Sequence, residues 1–89
     1  MDVFIALFDE ASKKAADLLE AHYPDHFQHP SFERIYFLAS DDISEKIAVN
    51  IGIKGENRVV SGMILKLEGA YSGYTDGSIW EWLEKFDRG

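Results

Sequence analysis

An α+β domain with the element order α-β-β-β-α is the fold this sequence predicts: a three-stranded antiparallel sheet with N- and C-terminal helices packed on one face. Three patterns carry that expectation. Apolar residues recur at three- and four-residue steps near the N-terminus, strict alternation runs between Lys46 and Lys54, and a short apolar stripe follows the last glycine-rich stretch. Eighty-nine residues suffice for one hydrophobic core and not for two, so residues 1–89 are read as a single domain.

From Asp2 to about His22, the residues Phe4, Leu7, Phe8, Ala11, Ala15, Leu18 and Leu19 form the stripe of an amphipathic helix, with Asp2 as its cap and Pro24 as its end. Asp9 with Lys13 and Glu10 with Lys14 are acid-before-base pairs four apart. Residues 25–31 read as a polar connection, and residues 34–39 (RIYFLA) as a strand rich in β-formers. Ile47, Val49, Ile51 and Ile53 then alternate with Lys46, Ala48, Asn50, Gly52 and Lys54, which predicts a half-buried strand. A competing reading makes Asp42 to Gly52 a helix, because Asp42 and Glu45 have capping-box spacing and Ile43, Ile47, Ala48 and Ile51 fall on one stripe. Four β-branched residues at period two favour the strand. Residues 55–58 (GENR) supply a turn into a second β-rich run, residues 59–68, so the two runs are expected to pair as a hairpin. Glycines 69, 73 and 77 make a loop. A final helix follows, with Ser78 and Glu81 at capping-box spacing and Ile79, Trp82, Leu83 and Phe86 as its apolar stripe.

Sixteen acidic against nine basic side chains give a formal charge of −7. That field repels a phosphate backbone, which argues against nucleic acid, and favours encounter with a basic protein partner. Cysteine is absent, so disulfides, thiolate nucleophiles and cysteine-ligated zinc or iron–sulfur sites are excluded, and a reducing, cytoplasmic setting is expected. The opening residues have no basic stretch and only six consecutive apolar residues, so neither a signal peptide nor a membrane span is expected there.

Chemistry-bearing motifs are few. His22, His26 and His29 have H-x3-H-x2-H spacing near Asp25, yet Pro24 and Pro30 break the helical geometry that would converge them, so no metal and no cofactor is expected. Neither a phosphate-binding glycine loop nor a nucleophile elbow occurs, and no carboxylate pair stands out as catalytic. With both helices on one face, Tyr36, Leu38, Ala48, Val60 and Ile64 would form an apolar outer face, joined by the off-stripe Trp80, while Ala48, Gly52 and Gly62 would permit close approach of a second copy. Exposed edge strands offer another route to self-association. The expectation is therefore a non-catalytic interaction module, a homodimer with an acidic surface, inhibitor-like or chaperone-like toward a basic protein. The alternative is a small-molecule binder or minimal enzyme whose aromatic pocket is closed by Tyr71, Tyr74 and Asp76.

Overall fold

Six consecutive apolar residues, 3–8, are what a central strand needs when both of its faces are covered. They lie in strand β1 (Asp2–Phe8). The computed structural model describes residues 1–29, 32–67 and 77–86. After β1 come helix α1 (Lys13–His22), strands β2 (His26–Gln28) and β3 (Ile35–Ser40), helix α2 (Ser44–Asn50), strand β4 (Gly62–Lys66) and helix α3 (Gly77–Phe86). The four strands form one sheet in the order β2-β3-β1-β4, with every neighbouring pair antiparallel. This is an α+β fold with an antiparallel sheet, and the succession β-α-β-β-α-β is that of a split β-α-β unit, followed here by a third helix.

The fold departs from the sequence expectation in four places. The expected helix from Asp2 to His22 is a strand and a shorter helix. Ser12 separates them: its Oγ accepts from the Ala15 N–H at 3.2 Å and caps α1. The expected polar connection contains β2, whose three residues add an edge to the sheet beside β3. The expected strand at residues 46–54 is largely replaced by helix α2, as in the competing reading, although the helix starts at Ser44 with Ile43 at its cap position and no side-chain cap from Asp42; no hairpin forms across residues 46–68, and β4 pairs with β1. Finally, the sheet has four strands and not three, and the terminal helix does not share a face with α1.

Helix α2 owes its existence to its C-terminal end. Gly52 adopts φ +83°, a conformation open to glycine and costly for other residues. The Ile53 N–H donates to the Ala48 carbonyl at 3.0 Å and the Gly52 N–H to the Val49 carbonyl at 3.2 Å, the paired bonds of a Schellman motif. Ile53 and Ala48 are both buried in the same core, the apolar contact that accompanies such a cap. Burial of Ile47 and Ile51 on one helical stripe outweighs the preference of β-branched residues for strands.

Side chains alternate along β1. Phe4, Ala6 and Phe8 join a core with Ala15 and Leu19 of α1, Ile47, Ala48 and Ile51 of α2, and Tyr36 and Leu38 of β3. Val3, on the opposite side, joins Ile79 and Leu83 of α3, with Phe27, Phe37, Leu67, Trp80, Trp82 and Phe86 packed against them. Each side of the sheet thus has its own apolar cluster. Trp82 stands at the centre of an aromatic group, 4.8 Å from the ring of Phe86, 6.2 Å from Phe37 and 6.4 Å from Phe27.

Candidate functional site: an exposed sheet edge and an apolar cleft

Strand β4 is both an edge strand and an exposed one. Met63 retains 53% of its surface and Leu65 46%, the two largest exposed apolar side chains of the sheet. They lie opposite Leu7 and Ile5 of β1, which are themselves only half-buried. Ile64 points the other way and packs against the helix-covered core. Gly62 belongs to the site because the chains run very close there: a Cβ at this position would collide with the Leu7 carbonyl oxygen.

The hydrogen bonds at either end of the β1–β4 ladder fix which backbone groups face outward. The Leu67 N–H donates to the Val3 carbonyl at 2.8 Å, and the Asp9 N–H to the Ser61 carbonyl at 2.9 Å. Hydrogen-bonded pairs alternate along an antiparallel ladder, so the odd-numbered residues of β4 bond to β1 while Gly62, Ile64 and Lys66 direct their N–H and C=O away from it. Among the described residues, none bonds to that outer side. The opposite edge, β2, is only three residues long.

An apolar cleft of about 230 Å³ lies between the sheet and α3, lined by Ile5, His29, Phe37, Leu67, Ile79, Trp80 and Leu83. His29 is its one titratable side chain among the described residues; it is buried and its ring lies 4.6 Å from that of Phe32. A larger, open crevice of about 720 Å³ runs along Phe8, Glu10, Ala11, Phe32 and Arg34, where the Arg34 guanidinium donates to the Asp9 carbonyl at 2.9 Å.

A partly buried polar cluster ties the two helices to the β3–α2 turn. The Tyr23 hydroxyl donates to Asp42 Oδ2 at 3.1 Å and accepts from Asn50 Nδ2 at 3.0 Å, while Lys46 approaches Asp42 at 3.4 Å. Burial pushes the Tyr23 phenol above its ordinary 10.0; the Asn50 hydrogen bond opposes that shift, and Asp42 adds to it. Every hydroxyl and amide in this cluster has a partner, so its role is to hold the fold together.

The residues expected to form an outer apolar face are placed otherwise. Tyr36, Leu38, Ala48 and Val60 are buried in the core beneath α1 and α2, Gly52 is buried at the end of α2, and only Ile64 and Trp80 of that set are partly exposed. The physical reason is the change of α2 from strand to helix: it fills the space on the side of the sheet that Tyr36 and Leu38 face. Tyr71, Tyr74 and Asp76 lie outside the described residues. The histidines are dispersed. His22 is exposed at the end of α1, the His26 Nδ1 lies 2.7 Å from the Tyr23 carbonyl, and His29 is buried beyond β2. Among the described residues no group of histidines and carboxylates is arranged to hold a metal ion, and no helix is long and apolar enough to cross a membrane. The expected ion pairs also shift, for Lys13 meets Asp17 at 2.9 Å across the next turn instead of Asp9.

As half of a hairpin, residues 59–68 would turn Val59, Met63, Leu65 and Leu67 toward the core, whereas Val59, Met63 and Leu65 are exposed. The signal that would have found them is the Gly52–Ile53 pair at a helix end, since with α2 helical, β4 has no partner in residues 46–54 and becomes an edge. Comparison with protein-family models, characterised proteins and solved structures returns no match.

Proposed function

We propose that the chain is a non-catalytic protein-interaction module that self-associates through its sheet and offers its acidic surface to a basic protein, in the manner of an inhibitor or chaperone. The observation that carries this reading is the β4 edge, where Met63 and Leu65 stand exposed beside a row of backbone groups pointing outward. Proteins that remain monomeric blunt such edges with charge, proline or brevity. Here β2 is blunted by its length, whereas β4 carries a single charge, Lys66, which is engaged with Asp2 at 3.5 Å.

Size-exclusion chromatography with light scattering, run from low to high micromolar concentration, tests the reading. A dimer is expected, and a monomer throughout that range would refute self-association. The basic-partner component predicts capture of cationic proteins that weakens steeply as salt is raised, because the attraction is screened over about 10 Å at 0.1 M ionic strength.

A second reading is supported by the cleft under α3. At about 230 Å³ it is smaller than a drug-sized site, and its almost wholly apolar wall suits only a small apolar or aromatic fragment. A fragment that raises the melting temperature and shifts the Trp80 and His29 resonances would favour it.

A further inference from the structure

We infer that the second copy pairs edge to edge with β4 about a two-fold axis through Ile64, making one continuous eight-stranded antiparallel sheet. This rests on the self-association reading above and names the register.

The outward groups of Gly62, Ile64 and Lys66 are spaced two residues apart, as an added antiparallel strand requires. A two-fold centred on the middle residue of the five-residue strand is the one that overlaps its whole length. Ile64 then faces Ile64 of the other copy, and Gly62 faces Lys66 in both directions, so every outward N–H and C=O of the strand finds a partner. An isologous contact of this kind closes on itself and does not propagate into a fibre.

The side chains agree with that register. Met63 comes directly opposite Leu65 on the same side of the sheet, and Leu65 opposite Met63, so the four most exposed apolar side chains of the two edges cover one another. Lys66 lies opposite Gly62, a position without a side chain, and the two Lys66 ammonium groups are kept at opposite ends of the seam. Centring the axis on Lys66 would set them face to face, and centring it on Met63 or Leu65 would leave one outward residue of each strand unpaired.

The absence of native cysteine makes the register directly readable. Two separately tagged variants, Met63→Cys and Leu65→Cys, are mixed and mildly oxidised. Facing residues of a pair not bonded to each other have Cα atoms about 4.5 Å apart, within disulfide range, whereas each variant alone brings together only diagonal positions about 7–8 Å apart. The expected result is a disulfide between the two variants and little within either one. Equal cross-linking within each variant, or none in the mixture, would overturn the register. In parallel, Met63→Lys/Leu65→Lys sets ammonium against ammonium at exposed positions and is expected to be a folded monomer by circular dichroism and light scattering. Mixing it with Met63→Glu/Leu65→Glu should restore a one-to-one pair, and a double-lysine variant that remains dimeric overturns the inference. Light scattering of the parent chain separates the two levels of argument. A monomeric parent removes self-association altogether, while a dimeric parent whose Met63→Cys and Leu65→Cys variants fail to cross-link with each other removes only this seam.

Discussion

Replacing Gly52 by alanine tests the account of why residues 44–50 are helical. The left-handed φ of +83° costs a non-glycine residue about 1–2 kcal/mol. The added Cβ would also sit 2.7 Å from Val59 Cγ2 and 3.2 Å from Leu18 Cδ1, so Val59 must be displaced, and overpacking of this kind costs about 1–3 kcal/mol. Together these predict a loss of about 2–5 kcal/mol. Gly55 supplies the control. Its φ is +93°, yet its added Cβ meets nothing nearer than Val49 Cγ2 at 3.8 Å, so Gly55→Ala should carry only the conformational cost of about 1–2 kcal/mol. Urea unfolding followed by far-ultraviolet circular dichroism measures both, with unchanged slopes confirming that stability alone has moved. In a Val59→Ala background the Gly52→Ala cost should fall to near that of Gly55→Ala, because the colliding methyl is gone. If Gly52→Ala proves no worse than Gly55→Ala, or if Val59→Ala leaves the gap untouched, the proposed packing of the helix end is mistaken.

Leu19→Ala, at a fully buried site between α1 and the sheet, should destabilise by about 2–5 kcal/mol in the same assay, and a loss below about 1 kcal/mol would mean that α1 does not pack there. Ser12→Ala removes the α1 cap and should cost about 1 kcal/mol, whereas Ser12→Asp should restore most of it; equal stability of all three would argue for an uncapped start. Tyr23→Phe strands Asp42 and Asn50 and should cost about 1–3 kcal/mol near neutral pH. Since the Tyr23 pKa is raised in the folded state, its contribution is complete below the ordinary value of 10.0 and fades as pH climbs through the folded-state value. The parent should therefore lose stability in strong alkali more steeply than Tyr23→Phe, and parallel curves would refute the shift.

What the sequence disclosed followed from how local each signal was. The stripe Ile79–Leu83 and the β-rich residues 34–39 reappear as α3 and β3 because each pattern belongs to one element. At the N-terminus two elements with compatible spacing ran together. Phe4, Leu7 and Phe8 suit either period, and only Ser12, with its capacity to cap, marks the junction. Residues 46–54 were ambiguous in the opposite sense. Ile47 and Ile51 lie at both period two and a helical turn, and the decision falls to Gly52, whose left-handed conformation ends a helix and has no use in a regular strand. The expected hairpin and the outer apolar face of Tyr36, Leu38, Ala48 and Val60 both hang on a strand at residues 46–54, whereas the strand count turns on β1 and β2, hidden in the N-terminal stripe and the polar connection. Which strand neighbours which is a long-range property, and no local pattern foretells that β4 would lie beside β1. Met63 and Leu65 therefore became visible as a surface only once the sheet order was known.

The central position of β1 bears on how the chain folds. In order of synthesis it precedes both strands that flank it, and Ile5 meets its partner Leu65 only after most of the domain has been made. Its six apolar residues must wait unpaired in the meantime. Assembly of this sheet is thus governed by distant encounters, which are slow, and holding the chain in dilute or chaperoned conditions early on should raise its yield of native protein.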